Sequence, residues 1–282
     1  MSRVELGQLL LPLLDGTPPV HRACQRWRHG RATYRVPDEV IVPSHYEVAA
    51  IDDDATAKAF VLAHHYSSSF PSARFRIGLY RRGALVGIAV FSHPVQDRVL
   101  TRVFGPPATA AVELGRLTLL DSEKSNAETF FLGRAFDILR REGIRGVLSF
   151  SDPVPRTTAD GTIIFPGHVG TCLQAHNATY LGRATPRTLR VLPNGTVLSD
   201  RAIVKIRSEE KGWRYASAIL ERHGAEHPSG DLSVWLDRWL PRLTRPLRHA
   251  GNHRYAWALH RSYRRFLVGG RPYPKQLERS IA

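Results

Sequence analysis

Cysteine, methionine and lysine are scarce in this chain, and long apolar runs are missing. Two cysteines, Cys24 and Cys172, stand far apart among 282 residues. A disulfide framework is therefore not expected, and two reduced thiols are. No run of eighteen apolar residues occurs, so no transmembrane helix is expected. LGQLLLPLL near the start is preceded by Glu5, broken by Pro12 and followed by no small-residue cleavage site. No signal peptide is expected, and the expected location is the cytoplasm. Also absent are a P-loop, GxGxxG, HExxH and CxxC, which removes the familiar signatures of nucleotide, dinucleotide and zinc chemistry.

Lysine is outnumbered by arginine, 5 to 35. A GC-rich coding sequence accounts for that ratio, but not for 40 basic against 25 acidic residues. The excess is uneven: residues 183–282 hold 20 Lys and Arg against 8 Asp and Glu, residues 1–182 hold 20 against 17. Concentrated positive charge suits a polyanion, nucleic acid above all; a solvated basic face is the plainer reading.

Periodicity gives an ordered set of elements. A short helix around Val4–Leu14 is predicted, then a capped helix over 53–65. Phe75–Tyr80 and Leu85–Ser92 read as a hairpin, and Arg98–Phe104 as an extension of the sheet. Val112–Leu120 is a strand, Ala127–Glu142 a helix ended by Gly143, and Ile144–Ser151 a strand. A helix from Gly170 to Asn177 and strands at Thr179–Gly182 and Arg187–Leu192 close the set. Beyond residue 205, helices are predicted at Glu209–His223, Leu232–Leu240 and His253–Phe266. The fold class is α/β, a mixed sheet flanked by helices with a basic helical C-terminal extension. The expected division is 1–47, an extension; 48–204, the catalytic domain; and 205–282, a basic, aromatic-rich extension.

Polar residues then stand where a purely structural unit does not need them. In ELGRLTLLD, Glu113–Asp121, Arg116 lies in an apolar strand that runs toward a helix beginning near Asn126 and Glu128. A buried charge is costly unless paired or used, so Arg116 either pairs with Glu113 or meets an anion. Free N–H groups at the helix start favour phosphate as well. Against this, Ser125 or Asn126 serves simply as a helix cap. His64-His65-Tyr66-Ser67 closes a helix, where acid–base work, metal binding and plain exposure compete. Ser151-Asp152-Pro153 follows a strand end, a ligand-binding position in α/β sheets and also an ordinary turn. Gly167-His168-Val169-Gly170-Thr171 allows close backbone approach, with Thr171 a candidate cap. In Thr244–Phe266, arginine and histidine alternate with Tyr255, Trp257, Tyr263 and Phe266, suiting aromatics packed inward and Arg254, Arg261, Arg264 and Arg265 turned toward nucleic acid.

Taken together, HHYS, ELGRLTLLD with NAE, SFSDP, GHVGT with the later Gln174, Asn177 and Tyr180, and GNHRYAW resemble the Mom family of phage DNA-modification proteins, from about His64 to Gly182 and again near Gly251–Trp257. The resemblance implies a fold similar to GNAT acyltransferases. It implies a transferase that adds a carbamoylmethyl (acetamido) group to N6 of adenine in double-stranded DNA, shielding phage DNA from restriction in the infected host. It implies acid–base roles for His65, Tyr66, Asp152 and Tyr180, and a donor grip by Arg116, Leu117, Asn126, Glu128 and Ser151. His168 joins the arginines as a DNA contact. The donor is left open, acetyl-CoA or another activated acyl or glycyl donor. The usual GNAT pyrophosphate loop is missing between Leu120 and Ala127, and a metal held by His64, His65, Asp152 or His168 is a further alternative. Two other classes compete: an acetyltransferase of a protein or small amine, and a non-catalytic DNA-binding protein. No membrane partner is expected.

Overall fold

The structure is a computed structural model. It describes residues 40–275 except 68, 95 and 125, together with the backbone of 24–28 and 31–35. The helix expected at Val4–Leu14 and the cap expected of Ser125 lie outside the described residues.

Strands β1 (Cys24–Arg28) and β2 (Arg31–Arg35) pair as a hairpin. The main sheet begins at β3 (Tyr46–Ala50). Helix α1 (Asp54–His64) follows, with Asp53 as its cap accepting from Thr56 N–H at 2.7 Å. Strands β4 (Ala73–Arg81) and β5 (Ala84–Ser92) form the expected hairpin. Their two-residue turn, Arg82-Gly83, takes φ of 51° and 80°, which glycine adopts at little cost. Arg98–Phe104 is a helix, α2, rather than a strand. Leu100 and Phe104, one turn apart, are both buried, and that spacing selects the helix.

Next come β6 (Ala111–Leu119), α3 (Ala127–Arg141), β7 (Gly146–Ser151), the short β8 (Arg156–Thr157) and β9 (Ile163–Phe165), α4 (Thr171–Ala175) and β10 (Thr179–Arg183). Strands β11 (Arg187–Val191) and β12 (Val197–Leu198) precede helices α5 (Asp200–Arg207), α6 (Trp213–Glu221) and α7 (Leu232–Leu243). Strands β13 (Arg245–His249) and β14 (His253–Ala258) and a 3-10 segment, Arg261–Leu267, complete the described chain.

The seven-stranded mixed sheet has the order β10-β14-β7-β6-β5-β4-β3, and only β6 and β7 run parallel. It bears out the α/β fold expected, a mixed sheet flanked by helices. One face packs on α3: Phe131, Leu132, Phe136 and Leu139 meet Ile77, Leu79, Phe91, Val112 and Val147. On the other face α1 covers Ile88 and Val90, while α2 and Tyr263 cover Leu148 and Ala256. Each such side chain contributes roughly 1.5–3 kcal/mol on burial.

The tail departs from expectation. Helices α5–α7 pack on a core of their own, centred on Ile206, Leu220, Trp235 and Leu236. The chain then returns: β13 pairs with β11 in a separate three-stranded sheet, and β14 inserts between β10 and β7. The helix expected at His253–Phe266 is therefore a strand and a 3-10 turn. In HRYAWA the residues His253, Tyr255 and Trp257 alternate onto one buried face, a period of two. The strand expected at Arg187–Leu192 exists but belongs to the smaller sheet.

Candidate active site

The ladder between β6 and β7 joins Ala111–Leu114 to Gly146–Ser149 and then stops. Beyond it, β6 follows β5 to Leu119 and β7 follows β14 to Ser151. The two strands thus part at their carboxyl ends, a position where open α/β sheets hold ligands. Gly115 is an extra residue in β6: Leu114 faces Phe91 and Arg116 faces Val90. A Cβ there meets Ser92 Oγ at 2.8 Å, so the bulge selects glycine. The bulge turns Arg116 onto the face that carries Glu113, the face that α1 covers.

Arg116 does not resolve in either of the two ways its sequence context suggests. Its guanidinium grips the loop after α1, donating to Ser69 O at 2.8 Å and Ser69 Oγ at 2.7 Å, and to Gly115 O at 2.6 Å. Burial raises the Glu113 carboxyl, with Arg116 opposing. Burial likewise lowers the Arg116 guanidinium, with Tyr66 and Glu113 opposing.

Tyr66 lies at the centre of the cleft. Its ring stacks on Phe165, 4.6 Å between centroids, and its hydroxyl is 3.2 Å from His168 Nε2. Although 36% exposed, it is crowded by protein, and burial pushes its hydroxyl up to about 12 against the pull of Arg116. Burial pushes the His168 imidazole down to about 4, with Asp152 opposing. His65, 4.2 Å from Tyr66, is pushed down to about 3 by burial, then by Arg116 and His168. The Ser67 N–H donates to its Nδ1 at 3.1 Å, which assigns the ring proton to Nε2. At neutral pH both imidazoles are uncharged and Tyr66 is protonated; Tyr66 donates to His168 Nε2 in the tautomer that carries the ring proton on Nδ1.

Asp152 is fully engaged. One oxygen accepts from Val154 N–H at 3.0 Å and lies 2.9 Å from His249 Nε2; the other accepts from Arg156 at 2.5 Å. Burial raises its carboxyl, but Arg156, Val154 and His249 together outweigh that and hold it below the usual range. Arg156 also lies over the Phe165 ring at 4.2 Å. Asp152 O accepts from His168 N–H at 2.8 Å, so this turn fixes the His168 loop.

His65, Tyr66, Arg116, Asp152 and His168 therefore converge. Tyr180 does not join them. It is 8% exposed on the α3 side of the sheet, with its hydroxyl 2.8 Å from His253 Nδ1. Ser151 and Leu117 face that side too, and the buried Ser151 Oγ has no hydrogen-bond partner among the described residues. The Asn126 side chain accepts from Ile41 N–H at 3.0 Å and caps nothing. Glu128 sits half-buried in the first turn of α3. Gly170, not Thr171, is the cap residue of α4.

Among the described residues, no three His, Cys, Asp or Glu side chains converge as a metal site. Of the four suggested ligands, His65, Asp152 and His168 bond Ser67, Arg156 with His249, and Tyr66, and His64 packs edge-on against Phe60. Ser69, Arg156, Phe165, His249 and His253 were not singled out from sequence. Arg156 was findable, four residues past Asp152 in SDPVPR. The histidines needed the topology.

Aromatic residues Tyr255, Trp257 and Tyr263 point inward, and Arg261, Arg264 and Arg265 outward. Arg254 is turned in, donating to Leu181 O at 2.9 Å. No helix among the described residues is long and apolar enough to cross a membrane.

The chain belongs to the Mom protein family, whose model matches residues 45–275. No curated protein matches it. Solved structures similar to it include a ribosomal-protein-S5-alanine acetyltransferase from Vibrio fischeri, at 11% identity, TM-score 0.34, 52% of this chain and 86% of that one. An agmatine N-acetyltransferase matches at 11% identity, TM-score 0.36, 76% of this chain and 99% of that one. A polyamine N-acetyltransferase from Drosophila melanogaster matches at 10% identity, TM-score 0.35, 75% and 100%.

Proposed function

We propose that this member of the Mom family is a transferase that adds a carbamoylmethyl (acetamido) group to the N6 amine of adenine in DNA. The observation that carries the reading is the Tyr66–His168 pair, set with Arg116 where β6 and β7 part. The adenine amine is a poor nucleophile, because its lone pair is shared with the ring. It needs to be held in place and relieved of a proton.

The pair supplies that. As N6 bonds to the methylene carbon of a donor activated there, its proton passes to the Tyr66 oxygen and the Tyr66 proton passes to His168 Nε2. The bond from donor carbon to leaving group breaks, and the leaving group later takes the proton from His168. Asp152 works through position: with Arg156 and His249 it fixes the loop that holds His168. His65, neutral with its proton on Nε2, serves as a donor toward the transferred group. Reaching N6 inside a duplex requires flipping the base, which costs a few kcal/mol.

A carbamoylmethyl product calls for a donor activated at its methylene carbon, because transfer from a thioester carbon gives an N6-acyl adenine, the product expected of an acyl-CoA. The β6–α3 turn does not fit its pyrophosphate in the usual GNAT manner. Glu123 is 0% exposed there, accepting from Tyr46 at 2.8 Å and from Arg81 at 3.2 Å, and Asn126 is committed to Ile41. The test is mass measurement of nucleosides from DNA of cells expressing the chain. An adenosine heavier by one carbamoylmethyl group is expected; unmodified adenosine alone contradicts the reading.

A further inference from the structure

The positive charge is not spread evenly over the fold. Across residues 183–199 and 244–275 there are eleven Lys and Arg and no Asp or Glu. Elsewhere arginines are tied to acids: Arg76 to Asp54, Arg140 to Asp137 at 2.6 Å, Arg156 to Asp152 at 2.5 Å and Arg207 to Asp237 at 2.5 Å.

Two groups of these cations stand at opposite ends of the sheet. His253 pairs with Ser151 and Ala258 with Gly146. The segment after Ala258, with Arg261, Arg264 and Arg265, thus lies at the amino end of β7. The cleft lies at the carboxyl end, roughly 17 Å away for a six-residue strand. At the cleft end stand four other arginines, all exposed. Arg183 pairs in register with His253, and Arg187 with His249, the residue that contacts Asp152. Arg248 is opposite Thr188, so it stands on the other face of the small sheet from Arg187. Arg271 donates its backbone N–H to Tyr180 O at 2.9 Å and lays its guanidinium against Gly182. Among the described residues no acid is ion-paired to Arg183, Arg187 or Arg271.

We infer that Arg183, Arg187 and Arg271 form the surface on which duplex DNA docks beside the cleft, and that Arg261, Arg264 and Arg265 do not. This placement rests on the reading of the cleft as a DNA-modifying site. It puts the duplex at the end of the sheet where Tyr66 and His168 lie.

The test is anisotropy of a labelled duplex titrated with the full chain over a range of salt. Each phosphate that the protein no longer neutralises lowers the log–log salt slope by about 0.9, so replacing Arg183, Arg187 and Arg271 by Gln lowers it by roughly 2–3. Their replacement by Lys keeps the charges and most of the slope, which separates removal of charge from misfolding. Gln at 261, 264 and 265 leaves the slope nearly unchanged. Binding by the wild type whose slope depends on Arg261, Arg264 and Arg265 and not on Arg183, Arg187 and Arg271 overturns the placement alone. A wild-type chain that binds no duplex, or binds only phosphatidylserine vesicles, overturns the placement and the DNA reading together.

Discussion

Replacing Asp152 by Asn separates a positioning carboxylate from a proton carrier. The side chains of Asp152 and Arg156 are 16% and 13% exposed, so solvent screens their pair only weakly. Asn keeps one oxygen for the Val154 N–H, beside His249, but places an amide against Arg156. Removing one partner of a buried pair costs about 3–5 kcal/mol. With one hydrogen bond retained, about 3 kcal/mol is expected. For a chain of this size that is a fall in Tm of roughly 6–12 °C. Modification falls with it, because the turn holding His168 loosens. The assay is a thermal melt beside the modified-adenine content of DNA from the same cells. An unchanged Tm with modification abolished refutes the reasoning and makes Asp152 a direct participant in proton transfer.

Three further outcomes are expected. Tyr66→Phe removes the hydroxyl from His168 and lowers modification about 10²–10⁴-fold, while Tm shifts by only a few degrees, since one such hydrogen bond is worth about 1 kcal/mol; an active variant excludes the relay. His65 and His168 have folded values near 3 and 4, below the ordinary 6.5. The unfolded chain therefore takes up their protons first as pH falls, so stability is full above about pH 6.5 and declines toward pH 4 by up to about 1.4 kcal/mol per unit for each histidine. Denaturant titrations across that window show a shallower decline in His168→Gln if this is right, and the same decline if it is not. Glu123→Gln costs about 1–3 kcal/mol by disturbing its bonds to Tyr46 and Arg81, a loss that a chemical melt reads directly; no loss means the β6–α3 turn is not held by this carboxylate.

The strands and helices flanking the cleft were legible because each obeys one period. ELGRLTLL alternates on each side of the Gly115 bulge, DDATAKAFVLAHH starts on a capping Asp, and the helix from Ala127 buries Phe131, Ala135 and Leu139 at helical spacing. HRYAWA fits a helical stripe as readily as a strand, because Arg254 and its aromatics suit either spacing, and only pairing with β7 decides. The cleft itself was half legible. His65, Tyr66, Arg116, Asp152 and His168 stand in short motifs at element ends. Tyr180 failed because the face it occupies depends on β14, which enters the sheet from more than seventy residues downstream. The role of Asp152 could not be read either: His249 reaches it from β13 at a separation of 97 residues.

The central claim, that the Tyr66–His168 cleft modifies adenine in DNA, is tested most directly by nucleoside mass measurement on DNA from cells expressing wild type or Tyr66→Phe at equal folded levels. A carbamoylmethyl-deoxyadenosine signal is expected with the wild type and drops at least a hundredfold in the variant, in line with about 10²–10⁴ for a positioned acid–base group. Equal signals from the two, or none from the wild type, contradict it.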